Sequence, residues 1–379
     1  MSLSLPQPLS ANIQRPTLLL DPDKALRNIS RIAGKAKAAG VRFRPHFKTH
    51  QSAEIGLWFR RFGVEAITVS SLDMAAYFAA NDWKNITVAF TANLLEKEKI
   101  NNLARNILLH LLVDSGDAVP ALDALLEHRV EVWIDVDTGY GRTGIRWDDF
   151  DQILRLARII RASTNLTFAG LLTHSGHTYN VRSVAEIQEI HRDSLAKFAR
   201  IKGKMAEAGI VPCAVSIGDT PSASLADSFA GADEIRPGNF AFYDLTQSQI
   251  GSCAEEEIAV AVACPVATKV KDGNKVVIYG GAVHLSKDFL VDGQGRKIFG
   301  YAARPSGNSW GAAEKRAPVV SLSQEHGIIQ VDDQLFQEIN TGDLLAILPV
   351  HSCLTGDLYS AYLTVDGKKI ARRRSNDPV

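Results

Sequence analysis

The sequence predicts an α/β protein with two parts, a (β/α)8 barrel and, after it, an antiparallel β domain. Over roughly the first 240 residues, short apolar runs alternate with amphipathic stretches long enough for helices, and strands separated by helices pair in parallel. Beyond residue 250 the apolar runs are separated by turn sequences alone, which is typical of antiparallel sheets. We therefore expect the barrel at residues 15–248 and the β domain at 249–379, joined by residues 1–14.

Each barrel strand is expected where a short apolar run meets a turn, and each helix where apolar residues recur at helical spacing. The expected strands are 17–21, 41–48, 66–70, 85–90, 107–113, 130–137, 166–174, 213–218 and 234–238. The expected helices are 23–39, 51–61, 71–80, 94–105, 116–127, 148–162 and 183–209. This many units in this length favours a closed TIM-type barrel over an open doubly wound sheet. In the β domain we expect strands at 258–271, 275–281, 327–331, 343–350 and 360–365, and turns at 272–275, 292–295 and 366–369.

Bulk composition excludes several classes of function. The 379-residue chain has 42 basic and 42 acidic residues, so neither nucleic acid nor an anionic membrane is an expected partner. No run approaches the roughly 18 apolar residues of a membrane span, and the N-terminus lacks the pattern of a signal peptide. The four cysteines are widely spaced, which suits a reducing cytoplasm better than a disulfide framework. The basic tail 371–379 is interpreted as a solvated end.

The motif RFRPHFKTH places Lys48 at the end of an apolar strand, among Arg42, Arg44, His46 and His50. Neighbouring positive charge lowers the pKa of an amine, and a neutral amine is what Schiff-base formation needs. Functional groups of a parallel barrel gather at the C-terminal ends of its strands. The alternative interpretation is a basic strand end on the surface.

Other motifs also follow expected strands. DVDTGYGRTGI has the spacing of a dinucleotide fingerprint, but Asp135 and Asp137 would repel a pyrophosphate, so we interpret it as a tight loop that places Arg142. THSGHTYN brings two histidines and a tyrosine to one strand end, where they are either structural or part of a site. SIGDTPS and EIRPGNFAFYD place glycines and hydroxyl groups late in the barrel, where phosphate is frequently bound, although plain turns would look the same.

A metal site is expected in LPVHSCLTGDLY. On a strand, the spacing of His351 and Cys353 would point both side chains to one face. Imidazole nitrogen and thiolate suit zinc, and two protein ligands leave positions open for water or substrate. The alternative is an incidental pair.

These motifs occur along essentially the whole chain in an order that resembles the D-serine dehydratase-like and D-threonine aldolase-like family. Its members are fold-type III pyridoxal-phosphate enzymes with an alanine-racemase-like barrel. The matching segments are RPHFKTH, TVSSLDMA, DVDTGYGRTGI, THSGHTY, GDTPS, RPGNFAFYD and HSCLTGDLY. The resemblance implies D-configured substrates and a homodimer.

By position, the resemblance implies that Lys48 holds pyridoxal 5′-phosphate, that Tyr179 meets the pyridine nitrogen and that Arg142 lines the cofactor pocket. The implied phosphate cradle consists of Gly218, Thr220, Gly238 and Asn239, and the implied metal ligands are His351 and Cys353. Aldolase-like members often carry an aspartate where this chain has Cys353, which favours a dehydratase. Gln51 replaces a lysine common after the histidine, so the exact substrate stays open.

The leading hypothesis is elimination of water and then ammonia from a small D-3-hydroxy amino acid such as D-serine or D-3-hydroxyaspartate. Lys48 takes the Cα proton, and zinc, or else manganese or cobalt, assists departure of the hydroxyl. Arg42, Arg44 or Arg142 would meet an additional carboxylate. One alternative is retro-aldol cleavage to glycine and an aldehyde, with a histidine such as His46 or His177 as base. Further alternatives are a racemase, which would need no metal, and a non-enzymatic cofactor carrier, which would lack the β domain.

Overall fold

The structure is a computed structural model that describes residues 3–6 and 13–373. These residues form two compact units, one of residues 30–48 and 56–238 and the other of the remaining described residues. Residues 1–2, 7–12 and 374–379 lie outside the described residues, and they include part of the predicted β domain and most of the basic tail. No helix within the described ranges is long and apolar enough to cross a membrane.

The first unit contains an eight-stranded parallel sheet, which confirms the predicted barrel class. In sheet order the strands are Arg42–Phe43, Glu234–Ile235, Ala214–Ile217, Leu166–Thr173, Val130–Asp137, Leu108–Val113, Asn85–Thr91 and Ile67–Val69. A two-residue strand, Ile145–Arg146, pairs beside Val130–Asp137. The two ends of the sheet meet through backbone hydrogen bonds that join Pro45 and Phe47 to Thr68. Side chains that follow the strands therefore gather at one end of the barrel.

The helices of this unit cover the outside of the sheet with amphipathic faces. They are Leu72–Ala80, Lys97–Asn106, Ala118–Leu125, Phe150–Ala162, Val184–Glu207 and Thr220–Leu225. Phe150–Ala162 shows why these sequences form helices. The Asp149 side chain caps its N-terminus by accepting the Gln152 N–H, and Ile153, Leu156 and Ile160 are buried at helical spacing. Two further helices, Pro22–Ala38 and Ala53–Arg60, run across the division between the units.

The second unit is built on a nine-stranded sheet. In sheet order its strands are Lys275–Tyr279, His326–Gln330, Ser309–Leu322, Gly300–Ser306, Leu344–Pro349, Val260–Val270, Thr17–Leu20, Ala361–Thr364 and Lys369–Ala371. Pairing is antiparallel except between Thr17–Leu20 and Ala361–Thr364. All three predicted turns lie in hairpins, including the small one of Leu290–Val291 and Lys297–Ile298. Its short helices are Leu245–Ile250, Ala282–Leu285, Asp333–Glu338 and Ser352–Asp357.

Two details of the strand prediction differ from the structure. The first predicted strand, Thr17–Leu20, does not join the parallel sheet, because it pairs with Val260–Val270 in the antiparallel sheet. The strands Gly300–Ser306 and Ser309–Leu322 were not predicted, because charged residues interrupt their apolar alternation. Some of those charges are paired within the sheet, as Arg304 is with Glu314 at 2.8 Å.

Candidate functional site

Lys48 lies just beyond the strand Arg42–Phe43, at the end of the barrel where the strands finish, and its side chain is exposed. Its backbone N–H donates to His46 Nδ1 at 3.3 Å, and His46 Nε2 lies 3.5 Å from Ser70 Oγ. The structure therefore brings the predicted residues His46 and Lys48 together. Both ring nitrogens of His46 also lie within hydrogen-bond distance of neighbouring groups.

The two arginines of the same motif are committed elsewhere. Arg44 is fully buried, with Nε 2.6 Å from Glu234 Oε2 and Nη1 2.6 Å from Asn85 Oδ1. Arg42 is largely exposed and lies 4.0 Å from the same Glu234 carboxylate. The suggestion that Arg44 meets a substrate carboxylate is wrong, because its guanidinium is sealed in the barrel interior. Arg42 shares that carboxylate, so Arg142 is the better candidate for this role.

His174 was not among the predicted site residues, although its motif was singled out. It follows the strand Leu166–Thr173, and its Nδ1 lies 2.7 Å from the Gly218 carbonyl oxygen. Burial, with a smaller contribution from the positive charge of Lys48, lowers the pKa of His174 to about 3. A neutral imidazole thus lies within electrostatic range of the Lys48 amine.

His177 lies on the next turn of this segment, in the short helix Gly176–Asn180. Its ring stacks on Tyr140 with the ring centres 6.5 Å apart, and Tyr140 meets His174 edge-on at 5.8 Å. Burial lowers the pKa of His177, so the ring is neutral at pH 7. Its Nδ1 is buried and has no hydrogen-bond partner within the part of the chain that the structure describes. A neutral ring with an unused nitrogen suits the predicted role of a base.

The GxGxxG segment folds as a tight loop, in agreement with its interpretation from sequence. The Asp137 carboxylate accepts hydrogen bonds from the backbone N–H groups of Gly139, Tyr140 and Gly141, at 2.8–3.2 Å. The loop leaves Arg142 exposed, with its guanidinium 5.5 Å from the Tyr140 ring. Arg142 lines a small cleft together with Tyr140 and His174. The predicted pocket arginine therefore shares a cleft with the histidine beside Lys48.

The predicted phosphate loop begins at Gly218. An added methyl group there would lie 2.9 Å from Arg236 Cβ, so close packing requires glycine. Thr220 donates its N–H to the Tyr179 hydroxyl at 3.3 Å, which places Tyr179 beside this loop. The Thr220 hydroxyl is buried without a hydrogen-bond partner among the described residues. Such a hydroxyl fits a phosphate oxygen as its acceptor. Gly238, the other predicted cradle glycine, is buried after the strand Glu234–Ile235.

Arg236 is a second residue that the sequence reasoning missed. Its side chain is buried, with Nε 2.6 Å from Ser216 Oγ and Nη2 2.6 Å from the Thr173 carbonyl oxygen. Burial lowers the pKa of Arg236 to about 10, so the guanidinium stays charged at neutral pH. The signal was present in EIRPG, where an arginine directly follows a barrel strand.

In the other unit, His351 follows the strand Leu344–Pro349, and Cys353 lies in the first turn of the helix Ser352–Asp357. The prediction that both side chains share one face of a strand is therefore wrong, because the strand ends before His351. The start of the helix still brings the two side chains within hydrogen-bond contact. Burial lowers the pKa of His351, but hydrogen bonds to Asp288 and Cys353 outweigh it and raise the pKa to about 11.

Two neutral polar groups lie beside the sulfur of Cys353. The Thr49 hydroxyl lies 3.3 Å from Sγ, and Asn239 Nδ2 lies 3.6 Å from it. The Asn239 amide also donates to Asp244 at 2.7 Å and to Ser352 at 3.1 Å. The Asn239 side-chain nitrogen is thus shared among Cys353, Asp244 and Ser352. Hydrogen-bond donors near sulfur favour the thiolate form that binds metals.

The donor set at His351 and Cys353 fits a divalent metal. Within residues 3–6 and 13–373, no three His, Cys, Asp or Glu side chains form a metal-binding group. The pair therefore offers two ligands, an imidazole nitrogen and a sulfur, which is a borderline-soft set suited to zinc. Further coordination positions would be left for water or substrate.

Comparisons with known proteins match both parts of the chain. Residues 20–245 match the alanine racemase N-terminal domain, and residues 259–365 match a serine dehydratase domain. D-threo-3-hydroxyaspartate dehydratase of Delftia sp. (strain HT23) is 32% identical to this chain, covering 94% of this chain and 95% of the relative. D-serine dehydratase of Dictyostelium discoideum is 26% identical, covering 94% of each. The 3-hydroxy-D-aspartate aldolase of Paracoccus denitrificans (strain Pd 1222) is 25% identical, covering 97% of this chain and 92% of the relative.

Solved structures show the same similarity. The Delftia dehydratase superposes with a TM-score of 0.89 at 30% sequence identity, covering 96% of this chain and 98% of that chain. Another structure of the same dehydratase, with the same TM-score, is a cysteine-to-alanine mutant in the metal-free form.

Proposed function

This chain belongs to the family that joins an alanine racemase N-terminal domain to a serine dehydratase domain, and on that basis we propose that it is a pyridoxal-phosphate- and metal-dependent lyase. It removes water and then ammonia from a small D-3-hydroxy amino acid, with D-3-hydroxyaspartate and D-serine as the leading substrates. The ion is zinc, with manganese and cobalt as alternatives.

The observation that carries the proposal is the placement of His351 and Cys353 where the strand Leu344–Pro349 gives way to the helix Ser352–Asp357, with the Thr49 hydroxyl and the Asn239 amide beside the sulfur. This arrangement provides an imidazole nitrogen and a cysteine sulfur, two groups that bind metals, at one place. The relative with the greatest identity given above is a dehydratase, and its cysteine mutant is described as metal-free. Both facts support a metal-dependent elimination here.

The cofactor, when bound, supplies an electron sink for charge that develops at Cα. The ion, when bound, supplies a Lewis acid for the departing hydroxyl. Lys48 holds the cofactor, and its amine takes the proton from Cα. The backbone of Gly238 and the hydroxyl of Thr220 hold phosphate. Arg142 faces the second carboxylate of a hydroxyaspartate substrate.

A substrate panel tests the proposal. D-serine, D-threonine and D-3-hydroxyaspartate are each incubated with the purified protein, with and without a chelator. We expect a 2-oxo acid and ammonia in equal amounts, and loss of both when the metal is removed. Inverted amino acid as the only product, or turnover that a chelator leaves unchanged, would refute the proposal.

Retro-aldol cleavage is the second candidate, because a specific observation favours it. His177 is neutral and has a buried nitrogen without a partner among the described residues, as a base for a β-hydroxyl requires. An aldolase is also among the relatives. Glycine and an aldehyde as products in the same panel would select this candidate, and their absence would exclude it.

We further propose that the enzyme is a cytoplasmic homodimer, with a barrel of residues 15–248 and a β domain of residues 249–379 and 1–14. No disulfide joins any of the four cysteines within the described residues, which suits a reducing compartment. Sedimentation at micromolar concentration tests the oligomeric state. A fully active monomer would contradict the dimer.

A further inference from the structure

A carboxylate lies behind the imidazole of His351. Asp288 Oδ2 is 3.1 Å from His351 Nδ1, and both side chains are about two-fifths exposed, at 41% each. The contact crosses 63 residues of sequence, so no local pattern around His351 reveals it. Asp288 follows the short helix Ala282–Leu285.

The segment that carries Asp288 is tied to the helix that carries Cys353. The buried Thr355 hydroxyl, in that helix, donates to the Leu285 carbonyl oxygen at 3.0 Å. Ser286 then adopts a left-handed conformation with φ 67°, and its hydroxyl oxygen accepts the Asp288 N–H at 3.3 Å. These bonds fix the backbone on both sides of the turn. Asp288 is therefore held in place independently of its contact with His351.

An imidazole ring has two nitrogens on different sides, and a hydrogen bond to one decides which remains for a metal. With Nδ1 directed at Asp288, Nε2 is the nitrogen left to bind an ion. We propose that Asp288 is a positioning residue that orients His351 so that Nε2 serves the metal held with Cys353. This inference rests on the proposed function.

Asp288 acts through His351 and does not itself bind the ion. An ion on Nε2 lies across the ring from the carboxylate that holds Nδ1. The sulfur ligand has its own, uncharged supports in Thr49 and Asn239. Among the groups that support the two metal ligands, Asp288 is therefore the charged one, and it acts on His351.

The test measures metal affinity. Metal-free Asp288→Ala, Asp288→Asn, His351→Ala and wild-type proteins are titrated with zinc against a chromophoric chelator at one pH, and cobalt absorption is recorded at full loading. Glu325→Ala is the matched control, because Glu325 lies 3.7 Å from His284, a carboxylate–imidazole pair elsewhere in the same unit.

We expect Asp288→Ala to weaken zinc binding roughly 10- to 100-fold, as loss of a supporting carboxylate does in other metal sites. Asp288→Asn recovers most of that loss, since its amide oxygen still accepts from Nδ1–H. The cobalt–thiolate charge-transfer band persists in both variants at full loading, and the control binds zinc as wild type does.

Two results would overturn the inference about Asp288 alone. One is an Asp288→Ala protein with wild-type affinity, which would leave the carboxylate without a role while the metal-dependent function stands. The other is equal loss in Asp288→Asn and Asp288→Ala down to the level of His351→Ala, which would make Asp288 a ligand. A wild-type protein that binds no zinc, manganese or cobalt would remove the metal from the proposed function and Asp288's role with it.

Discussion

Acid should destabilise the barrel through His110, which is held neutral by its neighbours. His110 Nδ1 accepts the Trp133 indole N–H at 3.3 Å, so its Nε2–H donates to Asn85 Oδ1 at 3.0 Å. A second ring proton would face the indole N–H. Burial, with a smaller contribution from the charge of Arg44, lowers the pKa of His110 to about 2.

The sign of the pH dependence follows from this shift. The folded-state pKa lies below the ordinary value of 6.5, so the unfolded chain takes up the proton first as the pH falls. The stability that the neutral ring provides is complete above about pH 6.5 and is lost as the pH falls from 6.5 toward 2. At about 1.4 kcal/mol per pH unit, His110 accounts for a loss of about 2 kcal/mol between pH 6.5 and pH 5.

The assay compares urea unfolding of wild type and His110→Gln at pH 7 and pH 5, followed by circular dichroism. The wild-type free energy of unfolding should fall by about 2 kcal/mol more than that of the variant. His50 and His174, whose pKa values burial lowers to about 3, contribute equally in both proteins. The matched control is His128→Gln, since that ring lies near the surface. Equal losses in wild type and His110→Gln would refute the reasoning.

Four other perturbations have defined outcomes. Lys48→Ala should leave no cofactor that borohydride fixes to the protein, as mass spectrometry would show, because no other residue is proposed to hold it. Chelation should abolish dehydration while the absorption of bound cofactor at roughly 410–430 nm persists. Cys353→Ser should lower the zinc content of the purified protein strongly, because serine is a neutral, hard ligand. Gly170→Ala should lower the free energy of unfolding by about 3 kcal/mol or more in urea titrations. Gly170 has φ 147°, which disfavours a side chain, and the added methyl group would overlap the Ala214 backbone. The control is Gly34→Ala, which adds a methyl group in open space within a helix and should be neutral or stabilising.

The barrel could be predicted because its signal is local. Each strand is a short apolar run and each helix has its own periodicity, so neighbours in sequence are neighbours in the sheet. Thr17–Leu20 shows the limit of this reasoning. Its sequence reads like any barrel strand, but its partners lie at least 240 residues later in Val260–Val270 and Ala361–Thr364. Hydrophobic pattern alone does not say which sheet a strand joins.

The candidate site likewise contains residues whose position could be predicted from sequence and contacts that could not. That Lys48 and Arg142 follow barrel strands could be predicted from their positions in the sequence. Contacts that support them could not, because Asp288 and Asn239 meet their partners across 63 and 114 residues. Gln51 is a further case. The resemblance made it a possible determinant of the substrate, yet its amide donates to Asp357 at 3.1 Å.

The buried charges of the barrel favour an anionic ligand. Arg44 bonds one oxygen of Glu234, the other oxygen accepts the Ser216 hydroxyl, and Ser216 accepts Arg236 Nε. This chain of hydrogen bonds contains two guanidinium groups and one carboxylate. Asp135 and Asp219 are the other acids within electrostatic range of Arg236, and burial raises the pKa of both carboxyl groups. Arg236 directly follows the strand Glu234–Ile235, so its positive charge lies beside the ends of the barrel strands, where low dielectric strengthens its attraction for phosphate and carboxylate groups. The same residues that stabilise the barrel interior thus set the electrostatic preference of the loops that follow it.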